Sequence, residues 1–228
     1  MIKMRNNLSN TLHKIREYTK QHLELSKSHH FLFNCPINKN HEYADVIVIG
    51  INPGETQTDL NFITKDITEE TNEFDFQDEI GRSQASKEWH KTCKQMLPNS
   101  KIFLSEFFFW SSNDTKNSFL EKFGYSFKQS PHFKFCRECN KELIDFHRPK
   151  LIVAPGVSFA TFFSKIYEMQ HIDTLEIDGY REGKKIVQRL IMRYEWNGIP
   201  FIFTKHWSGA RISNSEKEKI IQYLGTFI

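Results

Sequence analysis

Asp45-Val-Ile-Val-Ile-Gly-Ile-Asn-Pro-Gly54 is the stretch from which the rest of the chain is read. Val46, Ile47, Val48 and Ile49 form an uninterrupted apolar run, the pattern of a strand covered on both faces. Gly50, Asn52, Pro53 and Gly54 then stop it abruptly. In open α/β sheets, ligands sit beyond the carboxyl ends of the strands. An Asn between two glycines at that point is placed to meet one. The plain alternative is a strand followed by an ordinary turn.

Working outward, three more segments read as strands: Lys101–Phe109, Leu151–Ala154 and Ile199–Thr204. Helical spacing appears between them, through Ala85, Trp89, Cys93 and Met96–Leu97, over Cys136–Phe146, and through Phe159, Phe162 and Phe163. A last helix starts from Ser215, and Leu8, Leu12, Ile15 and Tyr18 share one face of a helix near the start of the chain. Residues 174–196 are open between a β-excursion and a helix carrying Lys184, Lys185 and Arg189. Strands alternating with helices predict an α/β fold. The expectation is a single three-layer α/β/α domain over 41–228, around a central, mostly parallel four-stranded sheet, with a helical extension over 1–40. The ends of all four strands then line one edge.

The chain's 228 residues suffice for one such domain with a real core. The net charge of +3 announces no polyanion partner by itself, but its distribution is uneven. Residues 55–80 hold nine acids and one Lys, whereas residues 180–211 hold seven Lys/Arg and two acids. Such a dipole can orient a protein on a polyanion, or it is two solvated faces. The four cysteines predict a reducing compartment rather than a disulfide scaffold. With no signal-peptide core and no run of membrane-span length, a cytoplasmic monomer without membrane contact is expected.

Each strand end carries its own motif: Gly50-Ile-Asn-Pro-Gly54, Ser105-Glu-Phe-Phe-Phe-Trp-Ser-Ser-Asn-Asp114, Pro155-Gly156 and His206-Trp-Ser-Gly-Ala-Arg211. In this order they resemble the uracil-DNA glycosylase superfamily over about residues 45–222. The first motif is similar to that of the mismatch-specific uracil/thymine branch. Gly81-Arg-Ser83 and Arg148-Pro-Lys-Leu-Ile-Val-Ala-Pro-Gly156 resemble the thermostable bacterial and archaeal branch. The resemblance implies a DNA partner and base excision. Three departures stand out. Trp207 replaces the usual Pro of the last motif, and Glu106 replaces the Asn of uracil-reading members. Of the cysteines, only Cys136 falls near a position of that branch's iron–sulfur cluster, while Cys35, Cys93 and Cys139 do not fit. No cluster and no other cofactor is expected.

An enzyme acting on a base must take it out of the stack. By the resemblance, Asn52 positions water with its side-chain carbonyl, and His206 donates a hydrogen bond to the base O2 as charge builds there. Ile51, Pro53, Gly54 and Phe62 border the base. Ser208, Gly209 and Ala210 approach phosphate closely, and Arg211 enters the groove. Glu55 and Asp59 are nearby acids, read as solvated loop residues. Glu106 carries the sharpest chemical reading. An ionised carboxylate only accepts, so it repels uracil O4 and welcomes an amino group, as Glu and Asp do with cytosine N4. Removal of plain cytosine would destroy the host genome. A modified cytosine, such as the hypermodified bases of some phage DNA, is therefore the expected target, with a role in antiviral defence.

Other readings are a uracil or mismatch repair glycosylase, a non-catalytic DNA-binding relative, and a hydrolase. The hydrolase would use Ser158, with Asp173 or Asp178, and His206 in Ser–acid–His order. A zinc module would draw on His132, Cys136, Cys139 and His147. Phe107, Phe108, Phe109 and Trp110 read as core, or as the lining of a roomy pocket.

Overall fold

A computed structural model describes residues 2–25, 43–52, 84–112, 117–181, 184–207 and 212–228. Their α-helices are α1 (Ile2–Gln21), α2 (Gln84–Met96), α3 (Asn117–Phe123), α4 (Phe133–His147), α5 (Ala160–Ile166) and α6 (Asn214–Gly225). The strands are β1 (Val46–Gly50), β2 (Ile102–Glu106), β3 (Leu151–Pro155), β4 (Gln170–Arg181), β5 (Lys184–Trp196) and β6 (Ile199–Thr204). They form one six-stranded sheet in the order β2-β1-β3-β6-β5-β4.

Four strands of this sheet are the four read from the sequence. β1 pairs parallel with β3, and β3 pairs parallel with β6. At the β1–β2 edge, Asp45 N–H donates to Lys101 O, and Phe107 N–H donates to Gly50 O. Start meets start and end meets end, so that pair is also parallel. The expectation of four strands is corrected to six. Residues 170–196 fold as a long antiparallel hairpin, β4–β5, whose second strand pairs antiparallel with β6. The helical option for 174–196 is thereby excluded. Only the inner part of β5, from Leu190 to Met192 with Tyr194 and Trp196, is buried, and the outer hairpin is largely exposed.

Chain connectivity puts the switch point of the sheet at β1. From β1 the chain goes to β2 on one side and then returns to β3 on the other. The residues that leave β1, Gly50-Ile-Asn52, therefore emerge where such sheets open a crevice.

By contact density the chain divides into two units. One comprises the described parts of Met1–Glu42, Gly50–Lys87 and Leu104–His147. The other comprises Tyr43–Ile49, Glu88–Phe103 and the described parts of Arg148–Ile228. In the first, α1 lies on α4. Thr11 Oγ1 and Lys14 Nζ donate to Glu142 at 3.1 and 2.6 Å, and Tyr18 stacks on Phe135 at 3.6 Å between ring centres. Tyr18 also bonds His132 Nδ1 at 3.0 Å, while Glu24 lies 3.1 Å from His132 Nε2. Phe107 to Trp110 are fully buried. They pack among Phe119, Phe123 and Phe127, and the Trp110 indole donates to Thr19. They are core. Strand two ends at Glu106, three residues before the expected end at Phe109, because Phe107 turns off the strand.

In the second unit, the core holds Val46 to Ile49, Cys93, Met96, Leu151 to Val153, Phe163, and Phe201 to Phe203. Gly156 follows β3 with φ of +146°, a backbone that favours glycine, and its N–H donates to Thr204 O at 2.7 Å. α6 starts on a full capping box: Ser213 accepts from Glu216 N–H, and the Glu216 carboxylate accepts from Ser213 N–H.

Candidate active site

Asn52 stands two residues beyond β1. Its Nδ2 donates to Ser112 Oγ at 2.9 Å. That bond orients the amide nitrogen toward Ser112. Ile51 is buried, and its main-chain O accepts from Phe108 N–H at 2.8 Å. The segment carrying Asn52 is thus tied by its backbone to the residues that follow β2.

Glu106 is the last residue of β2. Its carboxyl lies directly over Gly50, where a β-carbon would come within 2.7 Å of the carboxyl carbon. A non-bonded carbon pair does not sit that close, so a side chain at position 50 would displace the carboxyl from this place. The backbone of Glu106 is held from α4. Asn140 Nδ2 shares its two N–H among the main-chain O of Glu106 at 3.3 Å, of Phe107 at 3.1 Å and of Cys136 at 3.0 Å. Asn140 Oδ1 in turn accepts from Ser105 Oγ at 3.2 Å. The carboxyl itself is treated differently, since its Oε2 is buried and has no hydrogen-bond partner among the described residues.

That environment changes the reading of Glu106. Burial pushes its acid up to about 8, and no neighbouring charge counteracts this. At neutral pH the carboxyl is mainly protonated rather than the ionised carboxylate expected from sequence. A protonated carboxyl carries one donor beside one acceptor.

His206 follows β6 in the second unit. Its imidazole stacks on Trp89 of α2, 5.9 Å between ring centres at 28°. Trp207 stacks on the same indole at 5.9 Å and 29°, and is itself buried. The residue that departs from the resembled motif is therefore buried against α2. Pro53, Gly54 and Phe62, together with Ser208, Gly209, Ala210 and Arg211, lie outside the described residues. So do Glu55 and Asp59 and the acidic stretch 55–80.

The rival constellations are engaged elsewhere. Asp173 accepts from Tyr223 Oη at 3.0 Å, and Asp178 pairs with Lys185 at 2.9 Å, while Ser158 lies exposed in a short 3-10 turn, Val157–Phe159. Among the described residues, no three His, Cys, Asp or Glu side chains gather as a metal site. The basic stretch 180–211 is partly neutralised, because Lys185 meets Asp178 and Lys205 meets Glu216 at 2.7 Å.

Sequence reasoning missed Ser112 and Asn140 as supports of Asn52 and Glu106, and Trp89 as the partner of His206. Ser112 lay within a quoted motif and Trp89 within an expected helix, but nothing local marks their partners. No protein-family model matches the chain, and no curated protein matches it.

Proposed function

We propose that the protein is a DNA glycosylase with the three-layer architecture of the uracil-DNA glycosylase superfamily. It hydrolyses the N-glycosidic bond of a flipped, cytosine-derived base, such as a hypermodified phage base, and leaves an abasic site. Antiviral defence is the setting that suits such a substrate. The reading rests chiefly on one observation: Asn52 and Glu106 stand at the carboxyl ends of neighbouring strands, beside the sheet's switch point. There the Asn52 amide is oriented by Ser112, and the Glu106 Oε2 has no hydrogen-bond partner among the described residues.

The protonation of Glu106 refines the choice of base. A carboxylate or a carboxylic acid can each accept from the cytosine N4 amino group. Only the acid can donate to uracil O4. Glu106 therefore suits an amino-bearing base in both of its states and a uracil edge in one. In the proposed reaction, Asn52 holds the water that attacks C1′. The resemblance, rather than the geometry, assigns His206 the hydrogen bond to O2 of the departing base.

The test is base release. DNA containing cytosine, 5-hydroxymethylcytosine, its glucosylated form, uracil or a thymine mismatch is incubated with the protein, and abasic sites are read by alkaline cleavage. Sites at modified cytosine are expected. His206→Ala should slow their formation by about 10²–10³-fold, the usual cost of one such donor. Asn52→Ala should slow it at least about 100-fold by misplacing the water. Cleavage at uracil alone would return the protein to repair, and DNA binding without release would make it a binding module.

A further inference from the structure

We propose that Glu106 is the general acid of base release, handing its proton to ring nitrogen N3 of the flipped cytosine-derived base as the N-glycosidic bond breaks. This rests on the glycosylase reading above and adds a chemical step to it.

Among the described residues, no charged or hydrogen-bonding partner holds the carboxyl ionised. From β1 it meets the main chain of Gly50. From α4, the uncharged Asn140 binds the main-chain O of Glu106 and of its neighbour Phe107, not the carboxyl. Oε2 is buried and unbonded. Among the described residues no titratable group contributes to its shift, and burial lifts it to about 8. A general acid works best with a pKa near the operating pH, where the protonated form is abundant and the proton can still be given up.

The chemistry of the base supplies the need. On its Watson–Crick edge, cytosine presents the N4 amino donor beside the N3 acceptor. A carboxylic acid presents a carbonyl acceptor beside an O–H donor, so both contacts form at once. Cytosine leaving as an anion would place charge on N3 and O2. A proton delivered to N3 lets it leave neutral. In this step the Glu106 O–H bond breaks and N3–H forms, while the C1′–N1 electron pair passes into the ring. The water held by Asn52 bonds to C1′ and releases a proton to solvent. Glu106, left as a carboxylate, regains a proton from solvent once the base departs. The sum is hydrolysis, with no other reactant. Uracil already carries hydrogen on N3 and has no place for this transfer.

Glu106→Gln separates reading from catalysis. The amide keeps a donor beside an acceptor and has no proton to give. Release from 5-hydroxymethylcytosine DNA is measured for both proteins from about pH 5 to about 10. The variant should lose about 10²–10⁴-fold in kcat, the usual worth of a general acid, with KM changed less than about threefold. The wild-type rate should fall on the alkaline side of about 8, and this limb should vanish in the variant. Equal rates, or the same alkaline limb in both, would overturn the proposal. Infrared difference spectra give a readout independent of turnover. A carboxylic-acid C=O band should be present at neutral pH in the wild type and absent in Glu106→Gln, and its absence from the wild type would equally refute the acid role. If the wild type frees no base from any DNA, the glycosylase reading itself falls and takes this step with it. That outcome differs from failure of the acid role alone, where wild type and variant are both active.

Discussion

Glu106, at the end of β2, and Glu216, in the first turn of α6, are buried to different degrees and handled in opposite ways. Burial works against the charge of both. At Glu216 it is outweighed by Lys205 Nζ at 2.7 Å and Ser213 N–H at 2.6 Å, and the carboxyl is held below the usual carboxylate range. At Glu106 nothing outweighs it, and the acid rises to about 8. Partners, rather than burial alone, decide the charge. The fold saturates the acid that caps a helix and, among the described residues, leaves the acid at the carboxyl end of β2 without a partner for its Oε2. Functional groups often carry shifts of this kind.

The largest expected effect is on the pH dependence of stability. Glu106 is raised in the fold, so its contribution is fully present below the unfolded value of about 4.5 and is lost as pH rises through about 8. Glu106→Gln should therefore gain on the wild type between those limits, by on the order of 3–5 kcal/mol. Urea unfolding at several pH values checks this, and parallel stability curves would mean that the carboxyl finds a partner in solution. Next is Asn140, which is buried and serves three carbonyls and a hydroxyl at once. Asn140→Ala should cost about 2–3 kcal/mol by leaving those groups unpaired. It should also slow base release, because the backbone carrying Glu106 loses its tie. The smallest effect is at the well-partnered acid. Glu216→Ala should cost about 1 kcal/mol, mostly as a lost cap. That contribution is present above about 4.5 and disappears as pH falls through its lowered value, opposite in sign to Glu106.

The same contrast explains what could be read from the sequence. β1, β3 and β6 announce themselves as apolar runs bounded by Gly, Pro or polar residues, and the parallel part of the sheet follows from them. The hairpin does not. Its outer half has Glu176, Asp178, Lys185 and Arg189 exposed, with Val187 between them, so no face is apolar and neither periodicity dominates. The overrun of strand two has the reverse cause. Phe107 to Trp110 are as apolar as any strand, but they are buried by rings from elsewhere in the chain rather than by a neighbouring strand. Asn52 and Glu106 could be picked out as strand-end residues. Their setting could not, since Ser112 lies 60 residues from Asn52, and Asn140 lies 34 from Glu106. The protonated state of Glu106 follows from that setting, and composition carries no trace of it.

The most direct test of the account is the identity of the freed base. DNA carrying cytosine, 5-hydroxymethylcytosine, glucosylated 5-hydroxymethylcytosine and uracil together is incubated with the wild type and with Asn52→Ala, and the released bases are weighed by mass spectrometry. The account predicts free modified cytosine from the wild type and almost none from the variant. Free uracil alone, or no free base, would contradict it.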